Sequence, residues 1–300
     1  MHPQWDNIRK NLGEWYGSFA QYSPDGVWVK ETPSVLTLVE DQPDQQMTLE
    51  LKRTSPGGIT DTTVRTFSYP GPAPHVYFFE TGAFSQGARR YHSGQFGAEL
   101  ALTQAKQRRR CVQMYAGNAD LTSHLAYVTL IQEQRGEPVA DCLSPLTLAD
   151  LQGSWQGQAK VVSAQTASGD LSRSVPAEPS AWHLNCAPPI EDLIRDPIEP
   201  SVEYQATIGK IYQQTIVATA NAATPKGQRL VAQKDVPWQM LLLPGSTYCI
   251  LPQQIYPDRP FTLEVGWLIA PRRCQRLLRC YNAQGEWTHL ILAIDEKQDG

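Results

Sequence analysis

The 300-residue chain offers few side chains at spacings that do chemistry. Its histidines are His2, His75, His92, His124, His183 and His289, and no two stand at metal-ligand spacing. The HExxH pattern, which sets two imidazoles on one helix face beside a glutamate base, is absent. Ser85 lies in "GAFSQG" between Gly82 and Gly87. That stretch is not Gly-x-Ser-x-Gly and has no local Cys–His pair, so it reads as a serine in a turn between strands. "SPGG" (55–58) lacks the Lys-Ser/Thr and the following helix of a phosphate loop, and no dinucleotide fingerprint occurs. Acid–base pairs contributed by different strands would escape such a reading. The expectation is a non-enzyme with no catalytic residue, no metal and no cofactor.

The cysteines are Cys111, Cys142, Cys186, Cys249, Cys274 and Cys280, with no Cys-x-x-Cys among them. They read as free, buried thiols of a reducing compartment. The sharpest charge feature is "KQRRR" (106–110), with Arg108, Arg109 and Arg110 in a row. "PRRCQRLLR" (271–279) repeats it downstream, with Arg272 and Arg273. Arginines are enriched where proteins dock, so these five are the candidate partner-binding residues. The competing reading is a solvated strand edge whose charges block edge-to-edge pairing.

The elements that must carry these residues are strands. "MTLELK" sets Met47, Leu49 and Leu51 on one face and Thr48, Glu50 and Lys52 on the other. "FGAELALT" sets Phe96, Ala98, Leu100 and Leu102 opposite Gly97, Glu99 and Thr103, and "VEYQATI" and "FTLEVGW" alternate likewise. Alternation of this kind means one face in a core and one in water. Turn chemistry such as "SPDG" (23–26) and "NAQG" (282–285) separates the strands. Many short strands at regular spacing indicate an antiparallel barrel or sandwich. Tyr77, Phe78 and Phe79 are consecutive, so they face both sides of a strand. One side must line a barrel, touch a neighbouring barrel or meet a partner.

Helix is confined to Pro3–Leu12 and to "SPLTLADL", with Ser144 as N-cap. Segments 167–180 and 187–200 read as long loops and "GEPVAD" (136–141) as a linker. Net charge is −4, which argues against a general nucleic-acid binder. No apolar run is long enough to span a membrane, and the first residues lack the apolar core of a signal peptide, so the expected location is the cytoplasm, or an organelle interior after removal of a transit peptide.

One pattern occurs twice. Gly13-Glu14-Trp15-Tyr16-Gly17 and Gly153-Ser154-Trp155-Gln156-Gly157 share Gly-x-Trp-x-Gly, each behind a short helical lead-in. The halves also end alike, "RCVQMY" before "HLAYVTLIQEQR" and "RLLRCY" before "HLILAIDEK". The chain therefore reads as a duplicated domain, 1–140 and 141–300. A short helix followed by Trp at the first strand plugs a barrel end, and the flanking glycines let backbones approach. Gly13, Trp15, Gly17, Gly153, Trp155 and Gly157 are thus a structural signature of the barrel base. Arg135 and Lys297, just past the last strands, are placed to pack across the two tryptophans.

The order "HPQWDN…NLGEWYGSF…ETPSVLTL…FFETGAFSQG…FGAEL" resembles a family of cyanobacterial and chloroplast proteins known as a domain of unknown function. The resemblance is dense over about residues 1–135 and loose beyond. It implies an all-β fold of two tandem antiparallel calycin (lipocalin-like) barrels with short helices at the barrel ends. It also implies a scaffold role in assembling the soluble catalytic head of ATP synthase through the beta and gamma subunits. The implied setting is the cytoplasm of a cyanobacterium, as the stroma is for plant relatives. It supplies no catalytic residue. The alternative is a calycin carrier that holds an apolar small molecule or pigment inside a barrel.

Overall fold

In a computed structural model the chain is described for all residues except 1, 72, 74, 139–145, 165–176, 187–200, 209, 221–227, 233–237 and 300. Helix α1 (Pro3–Arg9) starts on proline, with the His2 side chain accepting from the Gln4 amide and Asp6 and Arg9 matching the helix dipole. It stops short of Leu12. Nine strands follow: β1 (Gly13–Tyr22), β2 (Trp28–Gln42), β3 (Gln46–Thr54), β4 (Thr60–Ser68), β5 (Val76–Phe78), β6 (Phe84–Gly87), β7 (Phe96–Gln104), β8 (Gln107–Gly117) and β9 (Ser123–Arg135). They form one curled antiparallel sheet in the order β4-β3-β2-β1-β9-β8-β7-β6-β5, open between β4 and β5.

Helix α2 (Leu148–Leu151) is capped by Thr147 in a reciprocal capping box with Asp150. Thr147 takes the role assigned to Ser144, which lies outside the described residues. The second half comprises β10 (Gly153–Ser163), β11 (Glu178–Cys186), β12 (Ser201–Ile208), β13 (Tyr212–Ala220), β14 (Gln228–Ala232), β15 (Trp238–Leu243), β16 (Thr247–Pro252), β17 (Gln254–Ile255), β18 (Phe261–Ala270), β19 (Arg273–Tyr281) and β20 (Trp287–Lys297). All but β17 close into an antiparallel barrel, and β17 pairs with β9 of the first sheet. The segment read as a loop over 167–180 ends inside β11. The rest of its described stretch is residue 177, and the other loop, the expected 140/141 boundary and Cys142 fall outside the described residues.

Each barrel interior holds its own cluster. Trp5, Ile8, Trp15, Leu36, Leu38, Met47, Phe78 and Phe84 fill the α1 end of the first sheet. Leu151, Trp155, Trp182, Tyr204, Met240, Tyr248 and Leu278 fill the second barrel. A third cluster lies between the two. Tyr22, Phe79, Leu100, Leu102, Cys111, Tyr115 and Leu130 pack against Leu241, Cys249, Leu263, Val265, Trp267, Leu277 and Tyr281. Both faces of β7, β8, β18 and β19 are therefore covered, and the one-face-in-water reading fails for "FGAELALT" and "FTLEVGW". Glu99 and Glu264 point into barrels, not into solvent. The Tyr77–Phe79 run divides the same way, Phe78 into the first barrel and Tyr77 and Phe79 against the second.

Candidate functional site

The two barrel bases are built alike. Gly13 and Gly153 enter the first strands at φ +111° and +112°, a region open to glycine and strained for other residues. Trp15 and Trp155 are buried, and each indole N–H donates to the carbonyl four residues back, Asn11 or Leu151, at 2.9 Å. Register places Trp15 opposite Arg135 and Trp155 opposite Lys297. The cations sit 4.5 and 5.4 Å from the ring centres. Trp15 also carries Arg108 at 4.2 Å, whereas Trp155 stacks on Trp182 at 4.8 Å.

Above each tryptophan lies a buried ionic layer, again in duplicate. Gly17 pairs with Ser34 on one side and Glu133 on the other, and Gly157 pairs with Ser180 and Asp295. A side chain at either glycine would run into the neighbouring strand's backbone, at Gln132 or Ile294. In the first half Arg110 bridges Glu133 (2.8 and 2.9 Å) and Glu99 (2.8 Å). In the second, Arg276 bridges Glu264 (2.9 Å) and Asp295 (3.4 Å) and donates to the Tyr204 hydroxyl (2.8 Å). Arg110 pairs with Ala101 and Arg276 with Gly266, two residues beyond Glu99 and Glu264 respectively. The layer is therefore one arrangement of strands used twice. The halves differ at Arg108, which pairs with Glu133 where the second half pairs Cys274 with Asp295.

Burial pushes the Glu133 carboxyl up, but the charges of Arg108 and Arg110 outweigh it and hold the group at about 2. Burial lowers Arg110 and Arg276, and their carboxylates more than reverse this, raising both.

The "KQRRR" cluster is thus neither a docking surface nor a solvated edge. Arg108, Arg109 and Arg110 are all buried. Arg108 bonds Glu133 at 2.6 Å and Asn11 at 3.0 Å. Arg109 points the other way, into the contact between sheets, 4.9 Å from the Trp267 ring centre. Burial there lowers its pKa to about 10. The sequence reading failed because the carboxylates that neutralise Arg108 and Arg110 come from β7 and β9, at no fixed spacing from them. Ser85 is corrected likewise: it lies within β6, buried between the sheets, and accepts from Arg279 at 3.2 Å.

Arg272 and Arg273 are exposed. With Ala270, Glu296, Lys297, Gln298 and Asp299 they line a surface cleft of about 470 Å³. Arg272 bonds Asp299 at 2.6 Å and the Lys297 carbonyl at 2.8 Å. The cleft joins the outer end of the second barrel base, since Lys297 also covers Trp155. Among the described residues no group of three His, Cys, Asp or Glu side chains is placed to hold a metal, and no helix is long and apolar enough to cross a membrane.

A curled sheet and a closed barrel, each started by helix and tryptophan and sealed by a cation, define a tandem calycin-like protein. The chain belongs to the DUF3598 family. A solved DUF3598 protein of unknown function from Nostoc punctiforme is 30% identical, with a TM-score of 0.80 over 99% of this chain and 100% of that one. Residues 1–138 match the N-terminal domain model of that family. Residues 194–298 match the C-terminal domain of Biogenesis factor required for ATP synthase 1. An S-type phycobiliprotein lyase from Guillardia theta aligns over 51% of this chain and 91% of its own at 10% identity and a TM-score of 0.36. No curated protein matches the chain.

Proposed function

We propose that this chain is a non-enzymatic assembly factor of the ATP synthase. In this reading it holds the beta and gamma subunits while the soluble catalytic head is put together in the cytoplasm. The observation that carries it is the match of residues 194–298 to the C-terminal domain of an ATP synthase biogenesis factor. That segment contains the exposed Arg272 and Arg273, which make the cleft beside the second barrel base the binding surface of choice. The buried arginines of the first half have no part in it. The test is affinity purification of a tagged chain from its own cells with mass spectrometry. Enrichment of beta and gamma subunits, reduced in R272A/R273A, supports the reading; their absence from the wild-type eluate overturns it.

A second reading draws on one observation. On the inner face of the open sheet, the end away from α1 carries half-exposed Phe19, Val112, Met114 and Tyr127. A cup of this kind suits an apolar small molecule or pigment. Solvent extraction of the purified protein, with mass spectrometry of the extract, tests it.

A further inference from the structure

The duplication shows what the first half lacks. In the second half β14 stands between β13 and β15, antiparallel to both, and closes the barrel. The corresponding neighbours in the first half are β4 and β5, and among the described residues no strand stands between them. The two free edges are treated differently. β5 is three residues long, and its edge is already occupied. The Gln4 side-chain amide accepts from the Phe78 N–H at 2.8 Å and donates to the Phe78 carbonyl at 2.9 Å, as a neighbouring strand would, and Asn7 adds a third bond at 2.8 Å.

Among the described residues β4 has no such cover. It is nine residues long, "TDTTVRTFS", in unbroken register with β3, and seven of its residues are exposed. Natural edges are guarded by charged side chains, lysine above all, and by proline, bulges or short length; β4 carries Asp61, paired with Arg53, and Arg65, but no lysine, proline or bulge, and it is not short. Its threonines and Val64 favour strand. The bond from the Tyr69 N–H to the Gln45 carbonyl fixes the phase of the ladder. Arg65 and Phe67 exchange bonds with β3, and the amides of Thr62, Val64 and Thr66 face outward. Val64 (58% exposed) and Val39 (43%) lie on the outer face nearby, and Ile59 (75%) tips the β3–β4 turn.

We propose that β4 takes up an extended segment of the client protein as an added antiparallel strand, in the position β14 holds on β13. Recognition is through backbone bonds to Thr62, Val64 and Thr66, with one apolar side chain of the added strand beside Val64. The client is taken from the reading above, and the edge is therefore also tested without it. The first probe is a phage library of random 12-residue peptides selected on the full chain, followed by hydrogen exchange with the selected peptides. The expected result is protection of the amides at 62, 64 and 66, at least tenfold weaker binding in T62P, and wild-type binding in T62V, which keeps the amide. Because the Thr62 amide makes no bond to β3, T62P keeps the fold, verified by its melting temperature. No selected peptide, or peptides that leave these amides unchanged, overturns the proposal. So does concentration-dependent protection in the chain alone, which would make the occupant a second copy. The second probe is the purified beta and gamma subunits. A complex that protects β4 supports the proposal, and a complex that leaves β4 exchanging freely overturns it. Failure to form any complex counts against the ATP synthase reading, and the peptide selection then decides the edge alone.

Discussion

Replacing Glu133 by glutamine removes one charge and almost no volume, so no cavity term enters. The wild-type carboxylate is buried and accepts from Arg108 and from two nitrogens of Arg110. In E133Q, Arg110 keeps Glu99 at 2.8 Å. Arg108 keeps the Asn11 side-chain oxygen and the face of Trp15 and can find only a neutral amide oxygen at 133, so the loss falls on a buried guanidinium left without its carboxylate. Breaking a buried ion pair from one side costs about 3–5 kcal/mol. The depressed pKa of Glu133 reflects the same pairing with Arg108 and Arg110. Glu133 moves from 4.5 to about 2 on folding, and at about 1.4 kcal/mol per unit this corresponds to roughly 3 kcal/mol. Its folded value is depressed, so this stabilisation is present above the unfolded value of 4.5 and is lost as pH falls toward 2.

E133Q should therefore melt on the order of 10 °C lower at neutral pH, and its stability should vary less than wild type between pH 4.5 and 2. Denaturant unfolding at a series of pH values measures both. The double variant E133Q/R108M should recover part of the loss by removing the stranded cation. The second half already has a neutral residue, Cys274, at that place. A loss under about 1 kcal/mol, or an acid limb that superimposes on wild type, refutes the reasoning.

Gly17→Ala and Gly157→Ala each drive a methyl group into the neighbouring strand's backbone, and each should lower the melting temperature far more than Gly57→Ala, whose added carbon meets nothing closer than 4.0 Å. R135M and K297M remove the cations over Trp15 and Trp155; each should cost about 0.5–2 kcal/mol in denaturant unfolding and shift tryptophan emission.

The all-β fold of antiparallel barrels was legible because period-two alternation with turn chemistry between strands is a local pattern that barrel geometry demands in place. The ionic layers were not. Arg110 meets Glu99 and Glu133 only through the register of β7, β8 and β9, which strand sequences do not display. Glu99 and Glu264 looked like solvent-side residues because alternation reports two faces without saying what lies beyond each. Here one face lies against a second sheet and the other inside a barrel. Arg272 and Arg273 are exposed because the turn into β19 leaves them at the barrel rim. The open β4 edge was invisible for a related reason: a strand's sequence does not say whether a neighbour will arrive.

The two halves resemble each other inside but are unequal as folding units, and this has a measurable consequence. The second barrel closes on itself. The first is an open sheet whose own cluster gathers chiefly at the α1 end. Its outer face, with Tyr22, Phe96, Leu100, Leu102, Tyr115 and Leu130, packs against the second barrel. Baring six such side chains at about 1.5–3 kcal/mol each forfeits on the order of 10 kcal/mol, which is comparable to the whole stability of a domain. A fragment of residues 1–138 should therefore be unfolded or aggregated. The second-half fragment exposes a matching face, but it keeps a sheet without free edges and should retain strand structure. Circular dichroism and gel filtration of the two fragments, alone and mixed, read this out. A cooperative, monomeric melt of 1–138 alone would show that the first sheet does not depend on the second barrel for its core.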